Sequence, residues 1–333
     1  MTLPPRTRIA ALVVLLAGLG VPAAHADTSG GGLVRVWTVH YRTHAGVARN
    51  AYVLLPAWYG PRKHPPIPLI ISPHGRGLTG RNNVRIWGGL PARGPFAVVS
   101  PDGHGRRLSR YSWGARGQIS DLARMPTIVM RALPWLRVDR NRIYAFGGSM
   151  GGQETLLLLA RYPRLLAGAA AFDAVVDLAF QYYRFPRLRC NGRCKRVWRG
   201  PLGPSLQTLA GVEIGGSPAT HRYAYELRSP ITYARAIAAS CVPLQLWWSR
   251  KDGIVVDQAS QTGRLLKEIV RLNPDAPVTG FVGYWRHSEE MRATARLPVA
   301  LEAFGLLPLR PHRPLPLVSL IPPPATSALC LRD

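Results

Sequence analysis

The chain of 333 residues is 47% hydrophobic, enough to fill a sizeable core and to place it among globular proteins. Its formal charge of +26 invites a nucleic-acid reading. However, the basic residues are scattered arginines with lysine only at 63, 195, 251 and 267, and neither a C2H2 spacing nor an RNP-like aromatic strand accompanies them. Nucleic acid is therefore excluded as a partner, and the charge predicts no more than loose attraction to anionic cell-envelope polymers.

The N-terminus places Arg6 and Arg8 before the apolar run Ile9 to Val21 and then Ala24-His25-Ala26, the order of a secretory signal peptide with cleavage after Ala26. That run is shorter than the roughly 20 apolar residues needed to span a bilayer, so residues 1–26 are expected to be removed and the chain to be secreted. Next come two alternating runs, Leu33 to Tyr41 and Ala51 to Leu55, which read as an antiparallel hairpin. Beyond it lie short, nearly continuous apolar runs: Ile67 to Ser72, Phe96 to Ser100, Arg142 to Phe146, Gly168 to Phe172, Pro243 to Trp248 and Pro277 to Gly283. Such runs suit strands buried on both faces. Helix-like stretches stand between and after them, at Ile119 to Leu136, Gly151 to Tyr162, Ile231 to Ala239, Gln258 to Leu272 and Glu289 to Phe304. The alternation predicts an α/β fold, a mostly parallel sheet covered on both sides with the hairpin at one edge, over residues 33–306.

Residues 175–227 break the rhythm with two cysteines, clustered arginines and the aromatics Tyr182, Tyr183, Phe185 and Trp198, and read as an insertion over one end of the sheet. The aromatics are expected either to border a substrate pocket or to form a small satellite core. Residues 307–333 open with a run too rich in proline for a helix or a central strand, and are expected to form an extended tail. The cysteines are Cys190, Cys194, Cys241 and Cys330. In an exported chain an even count predicts disulfides, with Cys190 to Cys194 as a local bridge and Cys241 to Cys330 tying down the tail. "CNGRCKR" is crowded with positive charge and has no nearby histidine or carboxylate, so no metal site is expected there.

The chemistry lies in Gly147-Gly148-Ser149-Met150-Gly151, a G-x-S-x-G between a predicted strand and a predicted helix. A turn this sharp lifts a serine oxygen clear of the backbone, and the glycines permit the close approach of helix to strand. Ser149 needs a base, which in this arrangement follows it in sequence. Of His221, His287 and His312, His287 alone follows the last predicted strand and precedes the last predicted helix. The acid should precede it on a loop after a late strand. Asp252 is preferred, Asp257 stands at the expected N-cap of the next helix, and Asp173, just after Phe172, is a third candidate. An oxyanion forming at Ser149 needs N–H donors, expected from Met150 and from the loop His74-Gly75-Arg76-Gly77, with Arg76 preferred to Gly75 and His74 shaping the loop.

The elbow, "HGRG", "WWSRKDGIVV" and "GYWRHS" together resemble an α/β-hydrolase, and "VDRNRIYAFGGSMGGQETL" with "YELRSPITYARAI" resembles the catalytic domain of the prolyl oligopeptidase family, over about residues 35 to 305. The resemblance implies a Ser149, Asp252, His287 triad acting through an acyl-enzyme without metal or organic cofactor, on a small ester or peptide substrate. The chain departs from that family in offering no room for its substrate-gating β-propeller. Secreted single-domain esterases such as feruloyl esterases and polyhydroxyalkanoate depolymerases share the same triad order, so ester and peptide substrates both stay open. A non-catalytic binder of envelope polymer and an acyltransferase are the remaining alternatives.

Overall fold

The computed structural model describes residues 25–27, 33–103, 112–188, 202–310, 316–321 and 330. Ten strands form a sheet in the order β1-β2-β3-β5-β4-β6-β7-β8-β9-β10. They are β1 (His25–Asp27), β2 (Val34–Arg42), β3 (Ala48–Pro56), β4 (Ile67–Ile71), β5 (Ala97–Pro101), β6 (Val138–Gly148), β7 (Gly168–Phe172), β8 (Leu244–Ser249), β9 (Val278–Gly283) and β10 (Leu317–Ile321). The pairs from β5 through β4, β6, β7 and β8 to β9 are parallel, and the outer pairs β1-β2, β2-β3, β3-β5 and β9-β10 are antiparallel. This mostly parallel sheet, with its hairpin toward one edge, is the architecture expected. The strand β1 spans the cleavage position expected after Ala26.

Both faces of the sheet are buried, which is why its central strands read as unbroken apolar runs. Leu69, Ile71, Ile143, Ala145, Ala169 and Ala171 face one core with Met125 and Val129 of α3 (Arg116–Ala132), Leu156 to Leu159 of α4 (Met150–Arg161) and Leu265 and Ile269 of α9 (Thr262–Leu272). Their alternating neighbours Ile70, Tyr144, Phe146, Ala170 and Phe172 face the other, with Trp87 of α1 (Gly80–Trp87), Leu90 of α2 (Leu90–Arg93) and Leu301 of α10 (Leu297–Ala303). A third core, with Val175, Leu178, Phe185, Leu206 and Tyr225, sits within the insertion among α5 (Leu178–Arg184), α6 (Leu202–Ile214) and α7 (Arg222–Glu226). No helix among the described residues is long and apolar enough to cross a membrane.

Several elements differ from expectation. The helix expected from Glu289 to Phe304 is confined to α10, because Pro298 lacks the N–H an interior turn requires and sits at the first positions of a new helix instead. Before it the chain folds back on itself, and Arg296 N–H donates to Glu290 O at 2.9 Å. The polar sequence of α1 conceals a helix whose Thr79 caps it through Asn82. Part of the proline-rich tail is a strand, β10, at the outermost position, where proline on either side removes no ladder bond. Cys241 and Cys330 form the expected disulfide across 89 positions, joining the approach to β8 to the end of the tail. Cys190, Cys194 and Trp198 lie outside the described residues.

Candidate active site

The parallel strands deliver their carboxyl ends to one edge of the sheet, where open α/β sheets place their ligands. Between the end of β6 at Gly148 and the start of α4 at Met150 a single residue makes the turn, Ser149, with φ 60° and ψ −124°. A side-chain-bearing residue holds such a conformation only when its surroundings enforce it. Ser149 N–H donates to Phe172 O at 2.8 Å, and Ser149 O accepts from Gln153 N–H at 3.0 Å. The neighbouring glycines are needed for space: a Cβ at Gly147 would stand 2.2 Å from Gly151 O, and one at Gly151 would stand 2.3 Å from Pro73 O. Behind the turn α4 is buried almost throughout, so the serine rides on a rigid support.

His287 sits four residues beyond β9 and Asp252 three beyond β8. The structure brings them together, with His287 Nδ1 2.8 Å from Asp252 Oδ2. Asp252 is itself fixed: Oδ1 accepts from Ile254 N–H at 2.8 Å and Val255 N–H at 3.0 Å, and Oδ2 from Gln258 Nε2 at 3.2 Å. With Nδ1 engaged, Nε2 of His287 is the nitrogen left for a reacting group. Burial disfavours the imidazolium, but the charge and hydrogen bond of Asp252, with a further contribution from Asp173, outweigh it and raise the His287 pKa above its ordinary value.

Ser149 and His287 line one cavity of about 390 Å³ with Gly75, Arg76, Leu78, Asn82, Ile86, Met291 and Arg292. A methyl group at Gly75 would stand 3.8 Å from the Ser149 Cβ, which shows how closely the loop after β4 approaches the serine. His74 shapes that loop, with Nδ1 2.9 Å from Gly75 O and Nε2 2.6 Å from Asp102 O. The Arg76 side chain turns into the insertion, where it pairs with the buried Glu213 of α6 and lies over the Trp113 ring. Met150 N–H, at the start of α4, has no acceptor within its own helix and points from the positive end of the helix dipole.

Of the other candidates, Asp257 does not approach His287. It precedes the short 3-10 turn Gln258–Ser260 without capping it, and lies 3.8 Å from Arg184. Asp173 is close to both partners, and its donor atoms with those of Asp252 and His287 fall within 4.8 Å of one another. Each of its oxygens accepts a backbone N–H, from Ser249 and from Ser288. Tyr182 and Tyr183, offered as pocket residues, do not line the cavity beside Ser149. Tyr182 packs edge-on against Tyr225 in the insertion, and Tyr183 is 55% exposed. The satellite-core alternative describes Tyr182 and Phe185, because the helices of the insertion need their own apolar contacts. Sequence reasoning missed Glu213, Glu290 and the pocket-lining Asn82 and Arg292, which carry no motif.

No protein-family model matches the chain, and no curated protein matches it. Among solved structures it is similar to the acylaminoacyl peptidase of Pyrococcus horikoshii, with TM-score 0.58 and 17% identity over 81% of this chain and 41% of that one. It is similar to Porphyromonas gingivalis dipeptidyl peptidase 4, with TM-score 0.54 and 17% identity over 80% of this chain and 34% of that one. An S-formylglutathione hydrolase from Agrobacterium tumefaciens matches with TM-score 0.52 and 14% identity, over 80% of this chain and 92% of that one. The chain thus spans about a third of the length of the dipeptidyl peptidase and nearly all of the formylglutathione hydrolase. What they share with it is the α/β-hydrolase fold.

Proposed function

We propose that the chain is an exported serine hydrolase that cleaves ester or peptide bonds through a Ser149, Asp252, His287 triad and an acyl-enzyme. The observation that carries this reading is the 2.8 Å contact of His287 with Asp252 at the cavity Ser149 also lines. In the reaction the Ser149 hydroxyl oxygen attacks the substrate carbonyl carbon while His287 Nε2 takes its proton. Asp252 holds the imidazole in the tautomer that leaves Nε2 free and stabilises the imidazolium that forms. The oxyanion is met by the N–H of Met150 and of the Gly75-Arg76 loop, at the positive end of α4. His287 then protonates the leaving group, and a water activated by the same nitrogen releases the acyl group.

Small esters and thioesters open the panel of substrates that distinguishes ester from peptide cleavage. Feruloyl and hydroxyalkanoate esters belong to the same panel, as do aminoacyl and prolyl anilides. The test is labelling by a fluorophosphonate probe followed by that panel. Stoichiometric labelling of the native chain and its loss in Ser149→Ala are expected, with kcat lowered about 10⁴-fold or more. A chain that does not label is a binding protein, and one that labels but releases its acyl group to a sugar rather than to water is a transferase.

A further inference from the structure

The loops bearing Asp252 and His287 leave adjacent strands, and their relative placement decides whether the imidazole meets its acid and Ser149 together. At their base they are joined by Ser249, whose Oγ donates to Trp285 O at 2.5 Å and accepts from Trp285 N–H at 2.9 Å. Nearer their tips they are joined by Asp173. This residue stands at the carboxyl end of β7, fully buried, with φ 43°, a left-handed conformation that turns its side chain under both loops. Oδ1 accepts from Ser249 N–H, three residues before the acid, and Oδ2 from Ser288 N–H, directly after the histidine, each at 2.8 Å. We propose that Asp173 is a positioning residue of the triad, setting the spacing of the Asp252 loop from the His287 loop through these two bonds.

Glu290 is unexplained by the triad alone. It lies three residues past His287 and is fully buried, with its carboxyl against that of Asp173. Burial, then the neighbouring Asp173, push its carboxyl well above the ordinary range, so it keeps its proton. Asp173 is itself raised to about 7, by burial first and then by Asp252, and is opposed by His287 and by its two N–H donors. The charged and titratable groups facing Asp173 are therefore Asp252, His287 and Glu290. When Asp173 is ionised both oxygens accept at full strength; protonation would leave the hydroxyl oxygen a weaker acceptor and loosen one of the two loop bonds.

This inference rests on the triad reading, and Asp173→Asn separates the two. The amide supplies one acceptor and one NH₂, so one of the loop bonds becomes a clash of donors. Expected are a kcat about 10- to 100-fold lower per active site titrated with fluorophosphonate, and a KM changed much less. The acid limb of the kcat/KM profile should also move to lower pH, since the nearby negative charge that raises His287 is gone. Asp173→Ser, smaller and still an acceptor, gives the same readouts if the asparagine chain does not fold. A wild-type kcat per titrated site and an unmoved acid limb, in a background where Ser149→Ala is inactive, overturn the positioning role alone. Full activity in Ser149→Ala overturns the triad reading instead.

Discussion

Single residues at the site divide into those whose sequence context announces them and those that become visible only when the chain is folded. The residues of the proposed triad, Ser149, Asp252 and His287, stand out because its chemistry would fix their types and their order, and because each sits just past a recognisable strand. Glu154, Asp173 and Glu290 are not legible as buried acids, since nothing in a linear pattern tells a carboxylate facing solvent from one facing a core. Glu154 illustrates the energetic consequence. It is fully buried on α4 and accepts from Gln118 Nε2. Burial raises its pKa to about 8, against hydrogen bonds from Gln118 and Gly114 that lower it. The folded value lies above the unfolded one, so the native state holds the extra proton and stability falls as pH rises from about 4.5 toward 8. Glu154→Gln is expected to remove that dependence, matching the parent near pH 4 and exceeding it by about 3 kcal/mol at pH 7 in denaturant unfolding. A difference between the two chains that does not change with pH would refute the assignment.

Elements were read well where hydrophobic pattern and packing agree. Strands β4 to β9 and helices α3, α4 and α9 are recovered because a sheet covered on both faces leaves an apolar signature. Helix α1 escaped because it is short and polar overall: of its buried residues Gly80, Asn83 and Trp87 only Trp87 is a large apolar side chain, and Asn83 is held by hydrogen bonds to Ser72 and Pro73. The helix expected from Glu289 escaped for the opposite reason, an apparent periodicity cut by Pro298. At the nucleophile turn the packing of elements leads to a graded test. A Cβ at Gly151 would meet the Pro73 carbonyl, a backbone atom that gives way only if α4 or the loop after β4 shifts. Gly151→Ala is expected to lower kcat/KM about 10²-fold and to reduce the melting temperature. Gly75→Ala, whose methyl would find its nearest neighbour, the Leu78 side chain, at 3.6 Å, should melt close to the parent. Equal melting temperatures for the two variants would show that helix and loop are not in contact as described.

At the scale of the whole molecule, the tail returns to the sheet from beyond the hydrolase core and is held there twice, by the ladder of β10 on β9 and by the Cys241–Cys330 disulfide. In the chain-entropy view a bridge across 89 positions contributes about 4 kcal/mol. Cys330→Ser should therefore lower the melting temperature by about 10 °C while leaving catalysis in place, because neither cysteine approaches the Ser149 cavity. An unchanged melting temperature would show that the ladder alone suffices. The tail also has a second role, which concerns neighbouring copies rather than stability. The amide and carbonyl groups of β9 that β10 occupies would otherwise form a bare margin, able to recruit any extended segment that drifts past. Leu317, Leu320 and Ile321 are themselves partly open to solvent, so a released tail would add a sticky strand to the solution as well as uncovering its former seat. Reducing conditions should then express themselves colloidally: turbidity that grows with protein concentration, at temperatures where each molecule, taken alone, stays folded.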